Sequence, residues 1–167
     1  IVRIDDEITD PINNIILNEI SKKIISLSKD SEILIFQDYN KGLISKKLIQ
    51  TVIKNCFNIF ISVDPKYANF NDFKKVDLFK PNLNEIKKNF NINDTSDRKL
   101  IEVGKRFITQ NKIKNLMITL SERGIIIIND SQISKHKTQI KKIVDVSGAG
   151  DTIIALASIL FYLKIPQ

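Results

Sequence analysis

One cysteine, Cys56, and one histidine, His136, occur in the 167 residues. A lone cysteine excludes an internal disulfide and fits a reducing cytoplasm. One residue of each type cannot supply the ligands of a His/Cys zinc site. No apolar run reaches the roughly 18 residues of a membrane span, so no membrane partner is expected. The stretch Ile1-Val2-Arg3-Ile4-Asp5-Asp6-Glu7 has neither a basic n-region nor an apolar h-region, so no secretory signal is visible. It also lacks an initiator Met, and the chain is expected to start inside a longer protein. No G-x-x-x-x-G-K-[ST] stretch occurs, which excludes a P-loop enzyme.

What is present is ordinary for a globular domain: 43% hydrophobic and 27% charged residues. The net charge of +7 raises the question of nucleic acid or phosphorylated ligands. The lysines are spread along the chain without interleaved aromatics, so the charge reads as compositional bias and no nucleic-acid partner is expected.

Short apolar runs alternate with segments of helical period, the pattern of an α/β domain. Asp10-Pro11 predicts a capped helix with Pro at its first position, carrying Ile12, Ile16, Ile20, Ile24 and Leu27 inward. Ile33–Phe36, Ile59–Val63 and Val76–Phe79 read as strands. Ser45 caps a helix whose inner face holds Leu48, Val52, Ile53 and Cys56, the last as a small buried hydrophobe. A short helix carries Leu83, Ile86 and Phe90, and a longer one spans about Ser96 to Gln110. Leu116–Thr119 and Ile125–Ile128 form a hairpin around Ser121-Glu122-Arg123-Gly124. Ser134-Lys135-His136-Lys137 reads as a polar stretch, Ile140–Val144 as a last strand, and Ile153–Leu163 as a helix stopped by Pro166. The fold expected is a three-layer αβα sandwich on a mainly parallel sheet. Ligands in such sheets bind beyond the carboxyl ends of the strands. Asp38, Asp64, Lys66, Asn82, Glu85, Thr119 and Asp151 punctuate those ends.

The most informative stretch is Asp145-Val146-Ser147-Gly148-Ala149-Gly150-Asp151-Thr152. It reads as a strand end, a Gly-Ala-Gly turn and a helix start. Glycine permits positive φ and close ligand approach. The free N–H groups of a helix start, with the helix dipole, make an anion site. Those amides can stabilise charge on a transferred phosphoryl group while Asp151 accepts a proton from an attacking hydroxyl. Asp151 fits equally well as a simple helix cap. A dinucleotide fingerprint is excluded, because Ile153 stands where its third glycine is needed.

The stretch resembles the C-terminal signature of the ribokinase-like (PfkB-type) carbohydrate kinases, D-T/V-x-G-A-G-D-x. The resemblance implies an anion hole at Gly148, Ala149 and Gly150 and a catalytic base at Asp151. Asn82-Leu83-Asn84-Glu85 is similar to the family's N-x-x-E motif, which implies that Glu85 helps to hold Mg²⁺ through water. Thr119-Leu120-Ser121-Glu122-Arg123-Gly124 is similar to the family's T-x-G/S-x-x-G turn beside the nucleotide phosphates and ribose. Ser121 replaces the glycine common at its third position.

Arg3–Glu7, Asp38-Tyr39-Asn40-Lys41-Gly42, Val63–Lys66 and Leu78–Glu85 resemble the branch that phosphorylates D-glycero-D-manno-heptose 7-phosphate at O1 for ADP-heptose synthesis. On that resemblance Lys66 contacts phosphate, and Asp38 and Lys41 stand on the substrate side. It further implies ATP, Mg²⁺ and a sugar phosphate as ligands and a possible homodimer in the full-length protein. The family's lid, its G-G-x-x-x-N-type sugar motif and its last helices find no counterpart, so residues 1–167 are expected to form a partial kinase domain. Two other readings stay open: a kinase for another sugar, and a non-catalytic binding remnant.

Overall fold

The computed structural model describes residues 9–138 and 148–165. Its elements follow in the order α1 (Asn14–Leu27), β1 (Ile33–Gln37), α2 (Lys46–Asn55), β2 (Phe60–Asp64), β3 (Leu78–Phe79), α3 (Leu83–Phe90), α4 (Asp97–Asn111), β4 (Asn115–Thr119), β5 (Ile125–Asn129), β6 (Ile133–His136) and α5 (Ala149–Tyr162). Short 3-10 turns lie at Ser28–Asp30, Tyr67–Asn69 and Ser121–Arg123.

The sheet runs β1-β2-β3-β4-β5-β6 in both space and sequence. β1 to β4 are parallel, and β4-β5 and β5-β6 are antiparallel. Helical crossovers between neighbouring parallel strands place their helices on one face, because such connections are right-handed. That face buries Leu17 of α1, Leu48, Ile49 and Val52 of α2, Ile86 of α3, and Leu100, Val103 and Phe107 of α4. Phe70, Phe79 and Phe107 interlock there, with ring centroids 5.0 to 5.2 Å apart. The opposite face carries α5, whose Ile154 and Ala157 pack on Leu78, Met117 and Ile127. Ser158 fixes that docking: its hydroxyl donates to the Ile154 carbonyl at 2.6 Å and accepts from the Ser62 hydroxyl at 2.7 Å. The result is the expected three-layer αβα arrangement.

Several expectations change in detail. α1 begins at Asn14, not beside Pro11, because Asn13 Oδ1 accepts the Ile16 N–H and makes the cap. The Ile12 N–H is instead directed to the Gly42 carbonyl. Ile16 and Leu27 are exposed rather than inward, while Leu17 takes the buried position. The polar stretch around His136 is a strand, β6, paired with β5. α5 starts four residues earlier than its apolar run, so Gly150 and Asp151 lie inside its first turn. The expected strand Ile140–Val144, the expected stop at Pro166 and the segment Arg3–Glu7 lie outside the described residues. Cys56 is buried as expected, but as the C-cap just past α2 rather than within it, with Sγ 3.2 Å from Ser28 Oγ.

Candidate active site at the carboxyl ends of the strands

Gly148 is the N-cap of α5, at φ 76° and ψ −3°. Among the described residues nothing lies within 4 Å of the place a Cβ would take on it, and Gly148 and Ala149 are exposed. Ala149, Gly150 and Asp151 form the first helical turn, and Asp151 is exposed. Asp151 makes no side-chain cap; the cap residue is Gly148. The Asp151 carboxylate accepts from Tyr39 Oη at 3.3 Å, and Tyr39 Oη accepts from Gln37 Nε2 at 2.9 Å. Both partners sit at or just past the end of β1, so the first turn of α5 is tied to the carboxyl edge of the sheet.

Lys80, directly after β3, lies beneath the same turn. Its Nζ is 3.9 Å from the position of a Cβ on Gly150. The ammonium is buried and pairs with Asp64 at the end of β2, 3.0 Å away. The register explains the pair: Val63 lies opposite Phe79, so the chain's next residues bring opposite charges side by side. Burial raises the Asp64 carboxyl above the usual range, and Lys80 offsets only part of that.

Asn82 and Glu85 form a complete capping box at the start of α3. Asn82 Oδ1 accepts from the Glu85 N–H at 2.9 Å, and Glu85 Oε2 accepts from the Asn82 N–H at 2.8 Å. Glu85 is not a solvated cap residue: it is 8% exposed, and Oε1 accepts from Lys66 Nζ at 2.9 Å. Partial burial pulls the Lys66 ammonium down, but Glu85, with the Asp64 and Asp38 charges, more than offsets it, and the group stands above the ordinary lysine value.

The turn after β4 abuts this pair. Thr119 bridges to Asn82, and the Thr119 N–H donates to the Pro81 carbonyl at 3.0 Å. Ser121 adopts φ 55°, a left-handed conformation that favours glycine, which gives a physical reason for glycine at this position of the motif. Gly124 adopts φ 92° and ψ −136°, and a Cβ there would stand 1.9 Å from the His136 carbonyl oxygen. Glu122 is exposed in the turn; its own backbone N–H holds its carboxyl below the usual range. Arg123 anchors the turn to α4 through Asp97 at 2.6 Å and the Thr95 carbonyl at 3.0 Å. Beside it, an apolar groove of ≈ 450 Å³ runs between β5 and α5, lined by Met117, Ile127, Ile153, Leu156 and Leu160, with Lys137 on it as well.

Two expectations on the substrate side fare differently. Asp38 is turned inward and is 3% exposed, not presented to the cleft. Its oxygens accept from the Asn40 N–H at 2.7 Å and from Asn69 Nδ2 at 2.9 Å, so it shapes the loop after β1. Lys41 is exposed on that loop. Asp145, Val146 and Ser147 of the signature lie outside the described residues.

Sequence reasoning missed Tyr39, Gln37 and Lys80 as parts of this site. For Lys80 a signal existed: a charged residue continues the apolar run Val76–Phe79 and precedes Pro81. A larger groove of ≈ 840 Å³ lies elsewhere, near Phe57, Asp77, Lys114 and Tyr162, and contains none of the expected residues. Its Asp77 and Lys114 neutralise each other at 2.7 Å.

The donor set suits a magnesium ion held mainly by water and phosphate. Among the described residues no group of three or more His, Cys, Asp or Glu side chains could cage a metal. Glu85 offers oxygens that each accept one protein hydrogen bond and retain a lone pair for a bridging water.

The sequence matches the profile described as pfkB family carbohydrate kinase over residues 17–158. It is 31% identical over 157 residues to the bifunctional protein HldE of Helicobacter acinonychis, covering 93% of this chain and 34% of that protein. It is 32% identical over 160 residues to HldE of Helicobacter hepaticus, covering 95% of this chain and 33% of that one. The chain thus spans about a third of the length of these curated relatives. The fold superposes on phosphofructokinase-2 from Escherichia coli with a TM-score of 0.81 at 16% identity, over 93% of this chain and 53% of the other. It superposes on Arabidopsis thaliana ribokinase, solved with ribose and ATP, with a TM-score of 0.70 at 16% identity, over 83% and 46% of the two chains.

Proposed function

The chain belongs to the pfkB family of carbohydrate kinases, and on that premise we propose that it supplies the base, the anion hole and the nucleotide-phosphate side of an ATP-dependent sugar kinase. The observation that carries this reading is the exposed Asp151 carboxylate in the first turn of a helix whose glycine tip is open to solvent. An acceptor hydroxyl placed against Asp151 gives up its proton as its oxygen attacks the γ-phosphorus, and ADP leaves. The amides of Gly148, Ala149 and Gly150 meet the charge on the moving phosphoryl group. Lys66 and Glu85, joined to the 119–124 turn through Asn82, stand where the nucleotide phosphates would lie. The apolar groove between β5 and α5 would take the adenine ring. Glu85 would hold Mg²⁺ through water, and the ion supplies neutralisation of the phosphate oxygens when bound.

For the acceptor we propose O1 of D-glycero-D-manno-heptose 7-phosphate, a step that precedes formation of an ADP-heptose for lipopolysaccharide. Identity of about 31% to HldE proteins supports it. The single buried cysteine fits work in the cytoplasm. A coupled ADP-release assay on the intact protein tests both levels. Turnover with heptose 7-phosphate is expected. Turnover only with fructose 6-phosphate or ribose would keep the kinase and reject the acceptor. Asp151→Asn is expected to lower kcat by about 100-fold or more while ATP still binds; full activity in that variant would reject Asp151 as the base.

A further inference from the structure

We infer that Tyr39 is a positioning residue for Asp151: the hydrogen-bonded chain Gln37–Tyr39–Asp151 occupies one carboxylate oxygen and aims the other at the acceptor hydroxyl. This rests on the reading of Asp151 as the base.

The direction of the chain follows from its donors. Gln37 Nε2 carries only protons to give, so at 2.9 Å the Tyr39 oxygen must accept. The single phenolic proton is then left for Asp151 Oδ2, 3.3 Å away. Oδ1 of Asp151 accepts no described hydrogen bond and is available to a ligand. The two ends of the link are 112 residues apart, so it exists only because α5 docks across β1 and β2.

The anchor is well built for this task. Tyr39 follows Asp38, whose buried carboxylate fixes the backbone by accepting from the Asn40 N–H and from Asn69 Nδ2. Asn40 takes φ 56°, which turns the chain sharply after Tyr39. Tyrosine has only two side-chain torsions, so little freedom is lost in holding it. Tyr39 is 54% exposed, so its hydroxyl reaches Asp151 at the open edge of the sheet. Desolvation, and then the Asp151 carboxylate, raises the phenol above the ordinary tyrosine value, so it remains a donor across the working pH range.

The test uses the intact protein and three variants. Tyr39→Phe is expected to lower kcat about 10-fold with KM for ATP and for the acceptor sugar unchanged and Tm unaltered, since only an exposed hydroxyl is lost. Gln37→Leu is expected to lower kcat less. In Asp151→Asn, the ¹³Cζ resonance of Tyr39 should titrate at lower pH than in the unaltered protein, because the neighbouring negative charge is gone. If Asp151→Asn is inactive but Tyr39→Phe turns over at the full rate, the positioning role is overturned and the base assignment stands. A rise in KM alone, or an unmoved Tyr39 titration in Asp151→Asn, also overturns it. If Asp151→Asn keeps full activity, the base assignment itself falls.

Discussion

Lys80→Met should be one of the costliest single changes at the site. Lys80 and Asp64 are 3.0 Å apart, with side chains only 4% and 13% exposed. Removing one member of such a pair strands the other charge, a loss of about 3–5 kcal/mol in comparable sites. Here the lower end applies. Burial already raises the Asp64 carboxyl, and without Lys80 it rises further and can take up a proton instead of remaining a stranded anion. About 3 kcal/mol corresponds to a fall in Tm of roughly 6–12 °C for a chain of this size. The sign with pH follows from the same shift. A carboxyl whose folded-state pKa is raised penalises folding above that pKa, and the penalty lifts as pH falls through it. The deficit of Lys80→Met should therefore shrink between pH 7 and pH 5. Asp64→Leu combined with Lys80→Met should recover most of the loss, since an apolar pair carries no desolvation cost. Urea denaturation of the three variants at both pH values is the assay. A double variant as damaged as the sum of the singles, or a deficit that grows toward pH 5, would refute the stranded-charge argument.

Gly124→Ala should cost about 3 kcal/mol or more, because both its φ of 92° and the His136 carbonyl at 1.9 Å oppose a Cβ. Gly148→Ala, at φ 76° but in open space, should cost only about 1–2 kcal/mol, and thermal melts ranking the two the other way would contradict the geometry. Lys135, and then Arg123, hold the Asp97 carboxyl below its usual range. Its stabilisation is present above the unfolded-state pKa and disappears as pH falls through the lowered folded value, so Asp97→Asn should lose at most about 1 kcal/mol at pH 7 and nothing in strong acid. Glu85→Gln can keep the capping box through its one amide oxygen but turns its NH2 toward Lys66 and drops the charge facing it; the Mg²⁺ concentration for half-maximal turnover should rise several-fold, with a smaller loss of Tm than in Lys80→Met because Lys66 is half-exposed, and an unmoved Mg²⁺ curve would remove Glu85 from that role.

The elements legible in the sequence are those whose apolar residues face the large core. Ser45, Asn82 and Ser96 cap α2, α3 and α4, and the periods of Leu48–Val52, Leu83–Phe90 and Leu100–Phe107 match the buried faces. β6 was illegible because it borders the sheet: of Ile133–His136 only Ser134 is not exposed, so no alternation marks it as a strand. The start of α5 was misplaced for a different reason. Gly148 and Gly150 are poor helix formers, and propensity puts the start beyond them. Docking of Ile154, Ala157 and Ser158 on the sheet overrides that cost and draws Gly150 into the first turn, with Gly148 as the N-cap. The start of α1 slipped because the segment before it is held by Gly42 of another loop, which local sequence cannot show.

The site divides along the same line. Asn82 and Glu85 are three residues apart, and their partnership is a local cap that can be read directly. Lys66–Glu85, Tyr39–Asp151 and Lys80–Asp64 join different strand ends, and each needs the strand order to exist. In a sheet whose order follows the sequence, consecutive parallel strands all end on one edge, so their following residues meet there without any shared local pattern. The sequence therefore names the residue types that collect at that edge, but their partners follow only from register. Asp38 shows the difference most clearly. By type and position it belongs to the edge, yet Asn69 and Asn40 draw its carboxylate inward, and the neighbouring Tyr39 reaches the cleft in its place.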